Sequence, residues 1–195
     1  MQPIFESLIN SFIEEKVGIA ENFLSLPLAA NLKINLENLY AGKQLRLAGT
    51  GNGNIDRDKL FRSDVIHWLD RKNNDEFENS FFSVMDAFII YLNESCYTGI
   101  KDCEFHYTLY PTGSFYRRHL DQFKNNDSRK YSMIFYLNIG WEIEDGGQLC
   151  IYHDDYEQTI SPTNGKVVFF KSGELEHEVL ITNKPRMSIT GWLKT

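Results

Sequence analysis

Cysteine is scarce in this sequence. Cys96, Cys103 and Cys150 are the only three, an odd number without Cys-x-x-Cys spacing. That pattern excludes a disulfide framework and gives no sign of a structural zinc site, so free thiols in a reducing compartment are expected. Basic residues are also in the minority, 20 Lys and Arg against 27 Asp and Glu, for a formal charge of −7. Proteins that grip a phosphate backbone ordinarily carry a basic face, so nucleic acid is not an expected partner. Long apolar runs are missing too. The longest, over 81–92, is broken by Asp86 and falls short of the ~20 residues that cross a bilayer. The opening Met1-Gln2-Pro3-Ile4-Phe5-Glu6 has neither the basic segment nor the small-residue cleavage site of a secretory signal. The expectation is a cytoplasmic chain without a membrane partner, and nothing calls for more than a monomer.

What is present is ordinary for a globular protein: 42% hydrophobic and 24% charged residues, in a length that suits one domain with a substantial core. Ile4, Phe5, Leu8, Ile9, Phe12 and Ile13 recur at helical spacing and stop before Gly18. A short apolar stretch from Val17 leads to a second helix over about 27–40, with Pro27 in its first turn and Gly42 beyond its end. Residues 48–54, Ala-Gly-Thr-Gly-Asn-Gly-Asn, are too rich in Gly and Asn for an element interior. They lack the Gly-Lys-Ser/Thr ending of a phosphate loop, and a surface loop serving as a lid is the expected role. A strand is predicted over 62–69, and 76–94 has the strongest helical period in the chain. From Cys103 onward the pattern changes to short β-rich runs over 103–110, 115–121, 131–138, 148–152, 157–160, 166–170, 176–181 and 186–194. Turns signalled by Gly, Pro and Asn separate several of them. The predicted class is α+β: a double-stranded β-helix, or jelly roll, over 101–195. Residues 1–100 supply helical support and the lid, and the whole of 1–195 forms a single domain.

The chemistry-bearing residues sit in the second half. His119 and Asp121 stand two positions apart in a segment that reads as extended, so they share a face and can aim at one metal ion. His177 opens the penultimate strand and could complete the site. Two imidazoles and a carboxylate on one side of a metal leave three positions free, the facial arrangement of non-haem Fe(II) oxygenases. Zinc is the competing metal, though hydrolytic zinc sites usually keep one open position. In the last strand, alternation puts Arg186, Ser188, Thr190 and Trp192 on one face, with Met187, Ile189 and Leu193 on the other. A guanidinium facing the interior is costly unless it meets an anion, and its fork suits a carboxylate. The plainer reading of Arg186 is a surface ion pair on an edge strand.

On these residues the chain resembles the 2-oxoglutarate- and Fe(II)-dependent dioxygenases, and among them the prolyl 4-hydroxylases, in particular the hypoxia-inducible-factor prolyl hydroxylases and their bacterial relatives. Tyr110-Pro111, the run from Tyr116 to Asp121, Phe135-Tyr136-Leu137-Asn138, Trp141, Gly146-Gly147-Gln148-Leu149, Phe169-Phe170, His177-Glu178-Val179 and Arg186 through Trp192 appear in family order and at family-like spacing. A weaker likeness runs back through Arg62-Ser63-Asp64 to Gly18-Ile19. One departure is a Tyr110–His119 interval one residue shorter than in the animal enzymes, so the turn around Gly113 should differ.

The resemblance implies Fe(II) on His119, Asp121 and His177. It implies 2-oxoglutarate held at its distal carboxylate by Arg186 and Tyr136, and O₂ as oxidant, with ascorbate a candidate accessory. It places Tyr110 as a tyrosine lining the site and Trp192 as an aromatic close to the iron, although packing within the strands would account for both and for Tyr136. It implies an Asp64–Arg129 ion pair tying the lid over 45–60 to the loop after Asp121. The implied function is hydroxylation of a prolyl residue exposed on a partner protein, with elongation factor Tu one candidate by family analogy. Two alternatives stay open: a hydroxylase of a free amino acid or small metabolite, and a cupin-like metal-binding sensor without turnover. Nucleic-acid demethylation is disfavoured by the acidic charge. His153-Asp154-Asp155 reads as a solvated turn, His67 and His106 as ordinary hydrogen-bonded histidines, and Arg117-Arg118 as surface charge.

Overall fold

A computed structural model describes residues 2–49, 61–122 and 127–195. Three helices come first in the chain and lie on one side of the strands: α1 (Gln2–Glu15), α2 (Leu26–Ala41) and α3 (Glu76–Cys96). Their starts follow from local chemistry. Ser25 accepts from the Leu28 amide ahead of α2, which has Pro in its first turn, and Asp75 accepts from the amides of Phe77 and Glu78 ahead of α3. Each cap satisfies donors that the first helical turn leaves unpaired.

Between the helices run β1 (Val17–Ala20), β2 (Arg46–Leu47) and β3 (Val65–Trp68). Eight strands then follow: β4 (Asp102–Tyr110), β5 (Tyr116–His119), β6 (Arg129–Tyr136), β7 (Leu149–Tyr152), β8 (Glu157–Ile160), β9 (Val167–Lys171), β10 (Glu176–Val179) and β11 (Arg186–Lys194). They divide four and four. The major sheet has the order β1-β9-β6-β11-β4-β3-β2, and the minor sheet β5-β10-β7-β8. The eight strands therefore make the expected double-stranded β-helix, and all the pairings within both sheets are antiparallel.

Alternation along the strands splits the core in two. One apolar cluster joins the helices to the back of the major sheet, with Phe81, Phe88, Phe105, Phe135, Phe169, Ile189 and Leu193 among its buried members. Full burial of each such side chain contributes ~1.5–3 kcal/mol, which fixes the helices to the sheet. A smaller cluster fills the space between the sheets and includes Tyr110, Ile134, Tyr136, Leu149, Ile151, Phe170 and Val179. The helices thus stiffen one face of the major sheet and leave the other to face the minor sheet.

Three details differ from expectation. The apolar stretch at Val17 is an edge strand paired with β9. The strand expected over 62–69 is confined to Val65–Trp68, and residues 61–63 instead bond to the minor sheet through Arg117 N–H to Phe61 O and Ser63 N–H to Phe115 O. The expected lid contributes Arg46–Leu47 as β2, while its Gly- and Asn-rich part lies outside the described residues.

Candidate active site

The three predicted metal ligands come together. His119 ends β5, and β10 pairs it directly with His177, which brings the two rings to 4.3 Å between centroids. Asp121 is not on a strand rung, because β5 stops at His119; a bend turns its carboxylate back between the imidazoles. Its Oδ1 lies 3.4 Å from His119 Nε2, and its Oδ2 lies 3.6 Å from His177 Nε2. The potential ligand atoms of all three fall within 4.8 Å of one another, the one such cluster among the described residues.

Surrounding contacts orient these groups. His119 Nδ1 stands 2.7 Å from the Arg117 carbonyl and His177 Nδ1 stands 3.2 Å from that of Leu175. Each Nδ1 can therefore donate its proton to backbone, which leaves the Nε2 lone pair for a metal. Ser132 Oγ donates to Asp121 Oδ2 at 2.7 Å and is itself 2.9 Å from Ser172 Oγ. Tyr116 stacks on the His119 ring at 3.6 Å, and the edge of Phe170 meets His177 at 4.8 Å. Burial opposes the Asp121 charge, but the two imidazoles and Ser132 outweigh it and hold the carboxyl well below the usual carboxylate range. Burial, only partly offset by Asp121, pushes His177 down to about 4. Both groups therefore stand in the protonation state that a ligand requires.

A second polar group lies deeper, at the other end of the same cavity. Arg186 opens β11 and is 1% exposed. Its guanidinium carbon sits 4.9 Å from the Tyr110 ring centroid and 5.0 Å from that of Tyr136. The Nε and Nη2 of Arg186 and the Oη of Tyr136 are buried without any hydrogen-bond partner. Gly147 makes room for this arrangement. At φ +64° a Cβ there would lie 3.0 Å from both Arg186 Cδ and Thr182 Oγ1, so the backbone conformation and the space both require glycine. An unpaired buried guanidinium is expensive, and a carboxylate is the group that would satisfy it and the tyrosine together. These side chains thus fit a divalent metal at one end and one end of a dicarboxylate at the other.

The cavity joining these ends has a volume of about 870 Å³, and its walls include Tyr110, Trp192, His106 and Trp68. Trp192 lies under Arg129, with the guanidinium carbon 3.4 Å from its ring centroid, and its indole N–H has no partner. The expected Asp64–Arg129 ion pair is absent. Arg62, two residues before Asp64, donates from Nε and Nη2 to its two oxygens at 2.7 and 2.6 Å. Arg129 reaches Glu104 at 2.8 Å instead. Arg129 on β6 and Glu104 on β4 flank β11, in the Lys194 row and the Trp192 row of its register.

Several contributors escaped sequence reading. Ser132 shares a face with Ile134 and Tyr136 by simple alternation, which was the available signal. Tyr116 and Arg62 stood within the stretches that carry the family likeness, but their roles did not show there, because they depend on the approach of residues 61–63 to β5. The remaining histidines behave as expected. His106 Nδ1 is 2.9 Å from Thr108 Oγ1, His67 Nδ1 is 3.3 Å from the Gln44 carbonyl, and His153 stacks on Tyr156. Arg118 pairs with Glu176 at the surface.

Comparison with known proteins assigns this architecture. The sequence profile of the 2OG-Fe(II) oxygenase superfamily matches residues 105–194. A prolyl 4-hydroxylase of Pseudomonas putida superposes with a TM-score of 0.87 at 34% identity, covering 97% of this chain and 98% of that one. A prolyl hydroxylase of Trichoplax adhaerens, solved with a hypoxia-inducible-factor peptide fragment, shares the fold with a TM-score of 0.85 at 24% identity, over 99% of this chain and 90% of that one. The fold extends to other chemistry. The 2-oxoglutarate-dependent epimerase SnoN of nogalamycin biosynthesis has a TM-score of 0.66 at 14% identity, covering 98% of this chain and 82% of that one. With the P. putida enzyme matched along nearly its whole length, this chain belongs to the prolyl 4-hydroxylases within the 2OG-Fe(II) oxygenase superfamily, dioxygenases that work with Fe(II), 2-oxoglutarate and O₂.

Proposed function

We propose that this chain, as a single dioxygenase domain over 1–195, is a protein prolyl 4-hydroxylase in which His119, Asp121 and His177 hold Fe(II). Arg186 and Tyr136 bind the distal carboxylate of 2-oxoglutarate, and Tyr110 and Trp192 line the space between. The observation that carries the reading is the buried Arg186, whose free nitrogens face the same cavity as the three ligands. A sensor that only held metal would have no use for so costly a group.

Fe(II) with 2-oxoglutarate and O₂ supplies the oxidation, in which 2-oxoglutarate loses CO₂ to become succinate and one oxygen atom enters a substrate C–H bond. The protein's own residues do the rest. The backbone carbonyls of Arg117 and Leu175 keep the imidazole Nε2 atoms turned inward, and Ser132 keeps Asp121 ionised and aimed. Aromatic walls exclude water and hold the target carbon.

A prolyl residue in another protein is the proposed target. The likeness to the P. putida enzyme supports it, and elongation factor Tu remains one candidate on family analogy. The free thiols among the described residues support a cytoplasmic location, and a monomer is proposed. The test is mass spectrometry of a lysate of the source organism treated with enzyme, Fe(II) and 2-oxoglutarate. Prolyl residues in protein should gain the mass of one oxygen atom while free proline does not. Hydroxylation of free proline, or of nothing, would reject the reading.

A further inference from the structure

The active-site cavity does not end at its aromatic wall. Ile66, Trp68 and Gly49 line both it and a neighbouring groove of about 700 Å³ along β2, whose other walls are Lys43, Gln44, Arg46, Leu47 and His67. Trp68, 46% exposed, joins the two. It meets His106 at 4.9 Å and lies 6.3 Å from Trp192. Strand register puts Arg46 on the site's face of the major sheet, in one cross-strand row with Ile66, Thr108, Ser188 and Tyr136. In a chain of net charge −7, this groove carries Lys43 and Arg46 without an ion-pair partner among the described residues.

We infer that this groove receives an acidic side chain of the substrate polypeptide, about four residues from the target proline. The inference rests on the prolyl hydroxylase reading and adds a sequence preference to it. Charge complementarity selects the occupant: Lys43 and Arg46, without an ion-pair partner among the described residues and beside exposed Trp68 and Leu47, suit an acidic, partly apolar segment in extended form. The spacing follows from the sheet. Three to four strand separations of ~4.8 Å lie between β2 and the metal end, and an arginine side chain recovers part of that distance. Roughly 10–15 Å remains, or about four residues at ~3.3 Å each.

The test compares wild type with a Lys43→Glu/Arg46→Glu variant on the same lysate proteins, mapping every hydroxylated prolyl residue. Wild-type sites should carry Asp or Glu three to five residues from the proline. The variant should hydroxylate those sites about tenfold less than neutral-flanked sites in the same digest, the effect of two exposed ion pairs lost. It should also gain sites flanked by Lys or Arg at that spacing, a gain that misfolding cannot produce. Equal site preferences in the two proteins would overturn the inference and leave the prolyl hydroxylase reading standing. No hydroxylated proline with either protein would remove that reading and this inference with it.

Discussion

The two ends of the cavity are built on opposite terms. At the metal end the polar atoms that do not point at the metal are tied to protein: both imidazole Nδ1 atoms to carbonyls, and Asp121 Oδ2 to Ser132, which is tied in turn to Ser172. At the Arg186 end three buried polar atoms have no partner. One end has its supporting polar atoms satisfied by protein, whereas the other holds a buried charge that a carboxylate would neutralise. Loss of a residue should therefore read differently at each end.

The largest effect is expected at the metal end. His177→Ala removes one of three ligands, and Fe(II)-dependent succinate formation should fall by about 10³-fold or more, beyond the 10–100-fold typical of losing an outer partner. Metal titration should show the loss directly. Retention of tight, stoichiometric Fe(II) binding would mean that the cluster is not the metal centre.

Arg186→Met tests the other end and should split function from stability. Two charge-assisted hydrogen bonds at ~1.5–3 kcal/mol each imply at least a 100-fold rise in the KM for 2-oxoglutarate. The ligand-free protein should meanwhile become more stable, by about 1–4 kcal/mol, because an unpaired buried charge is replaced by an apolar chain of similar length. Urea unfolding without ligand checks the sign. A variant that is both inactive and less stable would show that Arg186 is already satisfied in the free protein. Gly147→Ala should act on the same end more mildly: a Cβ 3.0 Å from Arg186 Cδ displaces the guanidinium, raising that KM about tenfold and leaving Fe(II) affinity unchanged.

Ser132→Ala is the milder probe of the metal end. It removes the bond to Asp121 but no ligand, so Fe(II) affinity should drop about 10-fold with the KM for 2-oxoglutarate unmoved. If instead only the KM shifts, Ser132 belongs functionally to the other end and the division fails.

The same division explains what the sequence discloses. His119, His177 and Arg186 are distinctive residue types on strands, and Asp121 stands just past the end of β5. Their types and spacing with a family likeness singled them out, although the strand expected to carry Asp121 stops at His119. Their supports are not distinctive. Ser132 is a small hydroxyl like many others, and Gly147 matters only through the side chain that passes above it. The strand at Val17 could not be told from a linker, since four residues become a strand only when β9 lies beside them. The Asp64–Arg129 pairing failed for a related reason: residue types suggest that charges will pair, but register and local competition decide with whom. Arg62 stands two residues from Asp64, and β6 delivers Arg129 to Glu104.

A third imidazole, in the wall of the same cavity, gives the finest test of the comparison. His106 is buried, hydrogen-bonded to Thr108, and packed against Trp68 and Trp192. It binds no metal in the reading above, so its titration is free of that complication. Burial pushes it down to about 4; Arg62 and Arg129 act in the same direction, while Asp64 and the Tyr107 carbonyl act against it. The unfolded chain takes up this proton below about pH 6.5, and the folded chain resists until about pH 4. Between those values the unfolded state binds more protons, so acidification lowers stability. From pH 6.5 to 5 the loss attributable to His106 is about 2 kcal/mol. Metal-free wild type and His106→Gln, unfolded in urea at pH 7 and pH 5, should therefore differ in pH dependence by that amount, with the variant the flatter. Parallel losses in the two proteins would show that the folded cavity admits the charge. The cavity would then be wetter than its aromatic walls imply, and the contrast between a satisfied and an unsatisfied end would weaken.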